Sequence, residues 1–274
     1  MKQKKIQIDH GNSEINYITK GDGDIVLIFL HGWCINCTYW KAQIDHFGTA
    51  YATFAPDLVG FGNSKGNRSN WSIESYARDL AEFIEALDLQ NIILIGHSMS
   101  GMVILQSVLD DCSRIIGLVG VDNFKDIDVV YSQEQMLQFA EIIKALKADF
   151  KRSAPGFADA MLFHTSTPAH IRDRIRNDFA NTDPDVGYSS LEHFVHYSQF
   201  SGDNLEKCPL KLHLINSEAT PTFVEGLENR CTAGMQVKSI GFTGHYPMLE
   251  TPTRFNAVLE EIIDSILLDE NTKS

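Results

Sequence analysis

The chain reads as an α/β fold, a mostly parallel eight-stranded sheet with helices on both faces. Short apolar runs of strand length recur along it, and most of the later ones are separated by segments whose apolar residues fall at helical spacing. Between about Ile127 and Gly202 the strand signal stops and helical stripes replace it, which points to a helical insertion after the sixth strand.

The elements follow in order. Ile6–Ile8 and Ile15–Ile18 are the first two strands, and Ile25–Leu30 is a continuous apolar run of the kind a strand buried on both faces requires. Ala52–Ala55 is the fourth. Tyr76, Leu80, Phe83, Ile84 and Leu87 then share one helical face. Ile92–Ile95 is the fifth strand, followed by small residues and an apolar helical pattern running to Leu109. Ile116–Val121 is the sixth. In the insertion, Met136, Phe139, Ile143, Leu146 and Phe150 form one helical stripe, and further helices are expected at Ala169–Ala180 and Ser190–Tyr197. Leu210–Ile215 and Val237–Ile240 complete the strands. The last helix buries Phe255, Val258, Leu259, Ile262, Ile263 and Ile266, with Thr251-Pro252 as its cap and first-turn proline. Residues 1–125 and 206–274 thus form the core. Residues 126–205 leave from the carboxyl edge of the sheet, where active sites of such folds lie, and are expected to form a lid.

Composition narrows the function. At 274 residues the chain has room for one sizeable core. A formal charge of −13 opposes nucleic acid and acidic membrane surfaces, so neither is an expected partner. No run approaches the roughly 18 apolar residues of a membrane span, and the start has no apolar signal core, so a cytoplasmic protein is expected. Five cysteines, an odd number without a framework rhythm, suit a reducing compartment. Cys34 and Cys37 have the spacing of a redox or zinc pair but no accompanying second pair. His193 and His196 share a helical face without a third ligand. No metal or cofactor is expected.

The chemistry centres on Gly96-His97-Ser98-Met99-Ser100. A serine at a sharp strand-to-helix turn is pushed out of the sheet edge, and its neighbours two positions away must be small because backbones approach closely there. Gly96 and Ser100 meet that demand, although glycine is usual at the second position. A serine nucleophile also needs a base. His245 follows the last strand in the loop Gly241-Phe242-Thr243-Gly244-His245-Tyr246-Pro247-Met248-Leu249-Glu250, from which it could reach the elbow, whereas His213 lies inside a strand.

Four segments together carry a family resemblance: His31-Gly32-Trp33, the stretch Pro56-Asp57-Leu58-Val59-Gly60-Phe61-Gly62-Asn63-Ser64, the Gly96–Ser100 elbow, and the segment from Gly244 to Glu250. In this order the chain resembles the serine-nucleophile, esterase-like branch of the α/β-hydrolase superfamily. The resemblance implies an oxyanion hole from the backbone N–H groups of Trp33 and Met99, and a packing role for His97. It leaves two candidates for the acid. After the seventh strand, where most members carry an aspartate, Thr220 occupies the expected position and Glu218 lies about two residues early; the superfamily's second location, after the sixth strand, holds Asp122. Asp122 is the expected acid and Glu218 the alternative.

Trp33, Phe124, Met161, Phe163, Phe194 and Phe200 are candidates to line an apolar substrate pocket. The expected activity is hydrolysis of a small or medium carboxylic ester through an acyl-enzyme on Ser98. A lactonase, a carbon–carbon bond hydrolase and a non-enzymatic small-molecule receptor on the same fold are the alternatives.

Overall fold

The structure, a computed structural model, describes residues 1–272. The chain enters as an antiparallel pair, β1 (Lys2–Ile8) and β2 (Ser13–Lys20), in register from Lys2 opposite Thr19 to Ile8 opposite Ser13. β2 also runs antiparallel to β4 (Ala52–Pro56), and from there the sheet is parallel: β4, β3 (Val26–Leu30), β6 (Ile92–His97), β7 (Ile115–Val121), β8 (Leu212–Asn216) and β9 (Met235–Ser239). The spatial order is β1-β2-β4-β3-β6-β7-β8-β9, with the two-residue β5 (Lys65–Gly66) paired to β2. Strand periodicity has no hold on two residues, so the expected eight strands are nine. The side chains of β3 and β6 are buried throughout, as their unbroken apolar runs require.

Register decides which residues can meet. Leu30 pairs with Gly96, Gly96 with Gly120, and Gly120 with Leu214, so these four form a row across the sheet. Gly32, Ser98, Asp122 and Asn216 each stand two residues past a member of that row. They share one edge.

Helices cover both faces. α1 (Lys41–Phe47) packs with α11 (Pro252–Asn271), and α2 (Ile73–Ala86) packs with α3 (Ser100–Asp110). α2 starts at Ser72, whose hydroxyl accepts from the Ser75 N–H, and it buries Tyr76, Leu80, Phe83 and Ile84 as its apolar face predicts. α11 begins at Pro252 and buries Phe255, Leu259, Ile262, Ile263 and Ile266, with Val258 half-buried. Thr251 departs from its expected capping role: its hydroxyl donates to the Pro247 carbonyl at the preceding short helix α10 (Pro247–Glu250), and not to the start of α11.

Between β7 and β8 lie five helices: α4 (Gln133–Ala148), α5 (Phe150–Met161), α6 (Ala169–Asn181), α7 (Pro184–Ser198) and α8 (Ser201–Lys207). The expected single stripe from Met136 to Phe150 is split, because the Asp149 carboxylate accepts from the Arg152 N–H and starts a new helix. Leu146 and Phe150 are buried on opposite sides of that break, while Met136 faces solvent at 60% exposure. α7 begins six residues before its apolar signal, at Pro184, where Asp183 caps the N–H groups of Asp185 and Val186. After β8 comes one more helix, α9 (Val224–Arg230). No described helix is long and apolar enough to cross a membrane. Cys34 and Cys37 are free and buried, and burial drives both thiols upward, away from the reactive thiolate.

The middle of the sheet is its most sensitive point. Leu94 is fully buried between Ile28 and Leu118 on neighbouring strands. Leu94→Ala is expected to lower unfolding free energy by about 2–5 kcal/mol in urea denaturation; a loss below about 1 kcal/mol would contradict that position.

Candidate active site

The end of β6 makes the turn that its small residues foreshadow. Ser98 has φ +53°, in the left-handed region, and its N–H donates to the Val121 carbonyl at the end of β7 (2.9 Å). A side chain on Gly96 would stand 2.5 Å from the Ser100 carbonyl oxygen, which explains the glycine. Ser100 is more than a small residue. Its hydroxyl donates to the His31 carbonyl and so ties the elbow to the loop after β3.

That loop approaches Ser98 closely. A Cβ on Gly32 would fall 3.0 Å from the Ser98 Cβ and 2.7 Å from His97 Nδ1. The His31 ring orients the turn: Nε2 accepts from the Leu58 N–H (2.9 Å), which leaves Nδ1 to donate to the Gly32 carbonyl (2.8 Å). Trp33 follows, with its indole Nε1 donating to the Gly187 carbonyl of α7 (2.8 Å). Its ring meets Phe150, Phe157 and Phe179 edge-on.

His245 sits in the loop after β9 and faces the elbow. Its Nε2 lies 2.7 Å from Ser98 Oγ and its Nδ1 2.6 Å from Asp122 Oδ2. Asp122 is buried, and its Oδ1 accepts from the Ser217 N–H (2.9 Å) and lies 2.6 Å from Lys125 Nζ. Burial alone would raise this carboxyl; the hydrogen bond from His245 and the charges of His245 and Lys125 hold it well below the usual carboxylate range. An ionised Asp122 accepts from Nδ1–H, so Nε2 is left as the acceptor of the Ser98 hydroxyl. The arrangement can therefore move a proton from serine to imidazole.

Glu218, the alternative acid, is not at this place. It is exposed, its carboxylate accepts from the Ser239 hydroxyl, and its own N–H donates to the Gly241 carbonyl.

The backbone around His245 is fixed from three directions. Its N–H donates to the Leu162 carbonyl in the loop between α5 and α6 (2.9 Å), and its carbonyl accepts from His97 Nε2 (2.7 Å). The Glu250 carboxylate accepts from the Gly244 N–H (2.9 Å) and from the Thr167 hydroxyl (3.0 Å). Burial, followed by the nearby His245, takes the His97 ring down to about 3, so it stays neutral as a donor to that carbonyl.

Asn123 was invisible in the sequence pattern. Its Nδ2 donates to the carbonyls of Gly96 (2.8 Å) and Ser98 (3.2 Å), while its N–H and carbonyl engage the side-chain amide of Asn216 on β8. The available signal was an amide at the end of each of two apolar runs, Asn123 two residues past Val121 and Asn216 next after Ile215.

A small cavity, about 70 Å³, stands over Ser98. Trp33, Met99 and His245 border it together with Ser98, and Phe157, Leu162, Phe179, Leu191 and Phe194 form an apolar wall. Of the residues expected there from the sequence, Trp33 and Phe194 line it. Phe124 packs instead beside Gly101 at the start of α3, where its ring edge leaves no space for a side chain. Phe163 lies under the guanidinium groups of Arg172 and Arg176; Met161 and Phe200 are exposed.

Residues 25–199 match the family model described as the alpha/beta hydrolase fold. The chain belongs to this family. Among solved structures, this alpha/beta hydrolase is similar to a thermophilic esterase from Thermogutta terrifontis, with TM-score 0.79 and 22% identity over 97% of this chain and 99% of that one. It is also similar to strigolactone esterase D14 of Arabidopsis thaliana, at 23% identity over 91% of this chain and 96% of that protein. Karrikin insensitive 2 receptor IA of Petunia hybrida is 24% identical over 85% of this chain and 88% of its own length.

The close approach of Gly32 gives this alpha/beta hydrolase a sharp test. Gly32→Ala is expected to leave the far-UV circular dichroism unchanged and to slow fluorophosphonate labelling of Ser98 by about tenfold or more. Labelling at the wild-type rate would show that the loop after β3 yields freely.

Proposed function

We propose that the protein is a serine hydrolase that cleaves a small or medium carboxylic ester through an acyl-enzyme on Ser98. The observation that carries this reading is the continuous hydrogen-bond chain Ser98–His245–Asp122 opening into an apolar cavity. His245 takes the Ser98 proton as Oγ attacks the ester carbonyl. The N–H groups of Trp33 and Met99 hold the developing oxyanion; Met99 lies at the N-terminus of α3, where backbone N–H groups and the helix dipole favour negative charge. Asp122 fixes the tautomer and stabilises the imidazolium, which then protonates the departing alcohol. Water releases the acyl group along the same route. All of these groups come from the chain itself, so the reading requires no metal or organic cofactor.

Residues 126–205 act in this reading as a lid. Phe157, Leu162, Phe179, Leu191 and Phe194 all come from that segment, and together they favour an apolar acyl group. The buried free cysteines fit work in the reducing cytoplasm.

A second reading, slow turnover by a small-molecule receptor that keeps the same three residues, is favoured by the similarity to a karrikin receptor. A lactonase, opening a cyclic ester with the same three residues, is the hydrolytic alternative.

The decisive experiment offers p-nitrophenyl esters of graded chain length and a panel of lactones, with a fluorophosphonate probe in parallel. Labelling is expected on wild type and absent from Ser98→Ala; a wild type that is neither labelled nor turns over ester would sink the hydrolase reading. Saturable lactone binding without a burst of released product would favour the receptor. Asp122→Asn is expected to lose about four orders of magnitude in turnover, with Glu218→Gln near wild type; the reverse pattern would reassign the acid. Phe194→Ala, by removing part of the apolar wall, is expected to move the best p-nitrophenyl ester toward longer acyl chains, and an unchanged chain-length profile would place the acyl group elsewhere.

A further inference from the structure

Lys125 has no part in the proton path, yet it lies against its far end. The loop leaving β7 turns through left-handed backbone at Asp122 (φ +49°) and Phe124 (φ +50°), and Lys125 points back toward the residue three places before it. Its Nζ is 2.6 Å from Asp122 Oδ1 and 3.1 Å from the Ser217 carbonyl oxygen. The two side chains are 11% and 5% exposed. An ammonium so little hydrated is costly unless paired, and here its partner is the carboxylate that holds His245 through the other oxygen. The Ser217 N–H already satisfies Oδ1. The lysine is additional.

We propose that Lys125 is a positioning residue that shares the Asp122 carboxylate with His245, fixing its orientation across the ends of β7 and β8 and placing a positive charge behind the carboxylate that holds the imidazole. The inference rests on the proposed roles of Asp122 and His245. A positive charge one carboxylate away opposes the charge that the imidazole gains when it takes a proton. The same charge draws on Asp122 when the imidazolium forms. The other polar groups facing the pair are His97 at the end of β6, Tyr246 beside His245, Ser98, Ser217, and Glu250 through the Gly244 N–H. His97 is neutral in the working range, and Tyr246 is driven up by burial and stays protonated. Lys125 therefore supplies the lasting positive charge in this group.

The test compares wild type with Lys125→Met, Lys125→Gln and Lys125→Arg, following the His245 ring by NMR titration of ¹⁵N-histidine-labelled protein. Both neutral variants are expected to raise the His245 midpoint by about one unit, and Arg to return it toward wild type. Lys125→Gln keeps a hydrogen-bond donor, so it separates charge from mere bracing and gives a folded neutral variant should the Met variant be unstable. With p-nitrophenyl acetate the acid limb of kcat/KM should move upward with the titration while KM stays within about twofold. Superimposed titrations in wild type and both neutral variants would overturn the proposal. If the midpoint shifts but wild type neither labels with fluorophosphonate nor turns over ester, Lys125 keeps its role and the hydrolase reading falls.

Discussion

A single backbone conformation, the left-handed turn at Ser98, organises the structure around it. A non-glycine residue held at φ +53° costs on the order of 1–3 kcal/mol and persists only where its surroundings over-determine it. They do so here. The Ser98 N–H is taken by β7 and its carbonyl by Asn123; Gly96 and Gly32 remove the side chains that would block the approach, and Ser100 ties the turn to the loop after β3. These contacts come from separate strands. The turn therefore depends on the sheet being assembled, and the sheet's carboxyl edge depends on the turn.

The second constraint is the supply of charge at that edge. Asp122 is buried and accepts from a backbone N–H, an imidazole and an ammonium, which together offset the loss of water around its carboxylate. The two asparagines beside it, Asn123 and Asn216, exchange hydrogen bonds through their backbone and amide groups and hold the ends of β7 and β8 together. Polar groups in so dry a place rigidify the edge because each has few alternative partners.

Much of this could be read in the sequence, and the remainder resisted for identifiable reasons. The long strands other than β1 announced themselves through an unbroken or alternating apolar run, because burial on one or two faces leaves a local period; β1 is exposed from Lys2 to Lys5, and only its end at Ile6–Ile8 shows in the sequence. Ser98 and His245 were legible because each needs its own small-residue turn or post-strand loop. The choice between Asp122 and Glu218 stayed open because it depends on register: Asp122 stands two residues past the same row from which Ser98 departs, while Glu218 has already turned toward Ser239. Lys125 and Asn123 act through the return of a loop that no periodicity describes. An aromatic residue in a sequence carries size without direction, and Phe157 and Phe179 stand at the cavity where Phe124 and Phe163 are expected. The break at Asp149 was hidden because Leu146 and Phe150 keep helical spacing across it.

Trp33 occupies two neighbourhoods at once. It lines the cavity over Ser98, while its indole is fastened to a carbonyl of α7 and enclosed by two rings from α5 and one from α6. The helices between β7 and β8 are therefore mechanically joined to the loop after β3: without the Gly187 carbonyl the indole at the residue following Gly32 would lose its acceptor. A change in α5, α6 or α7 therefore reaches the loop after β3 through one side chain.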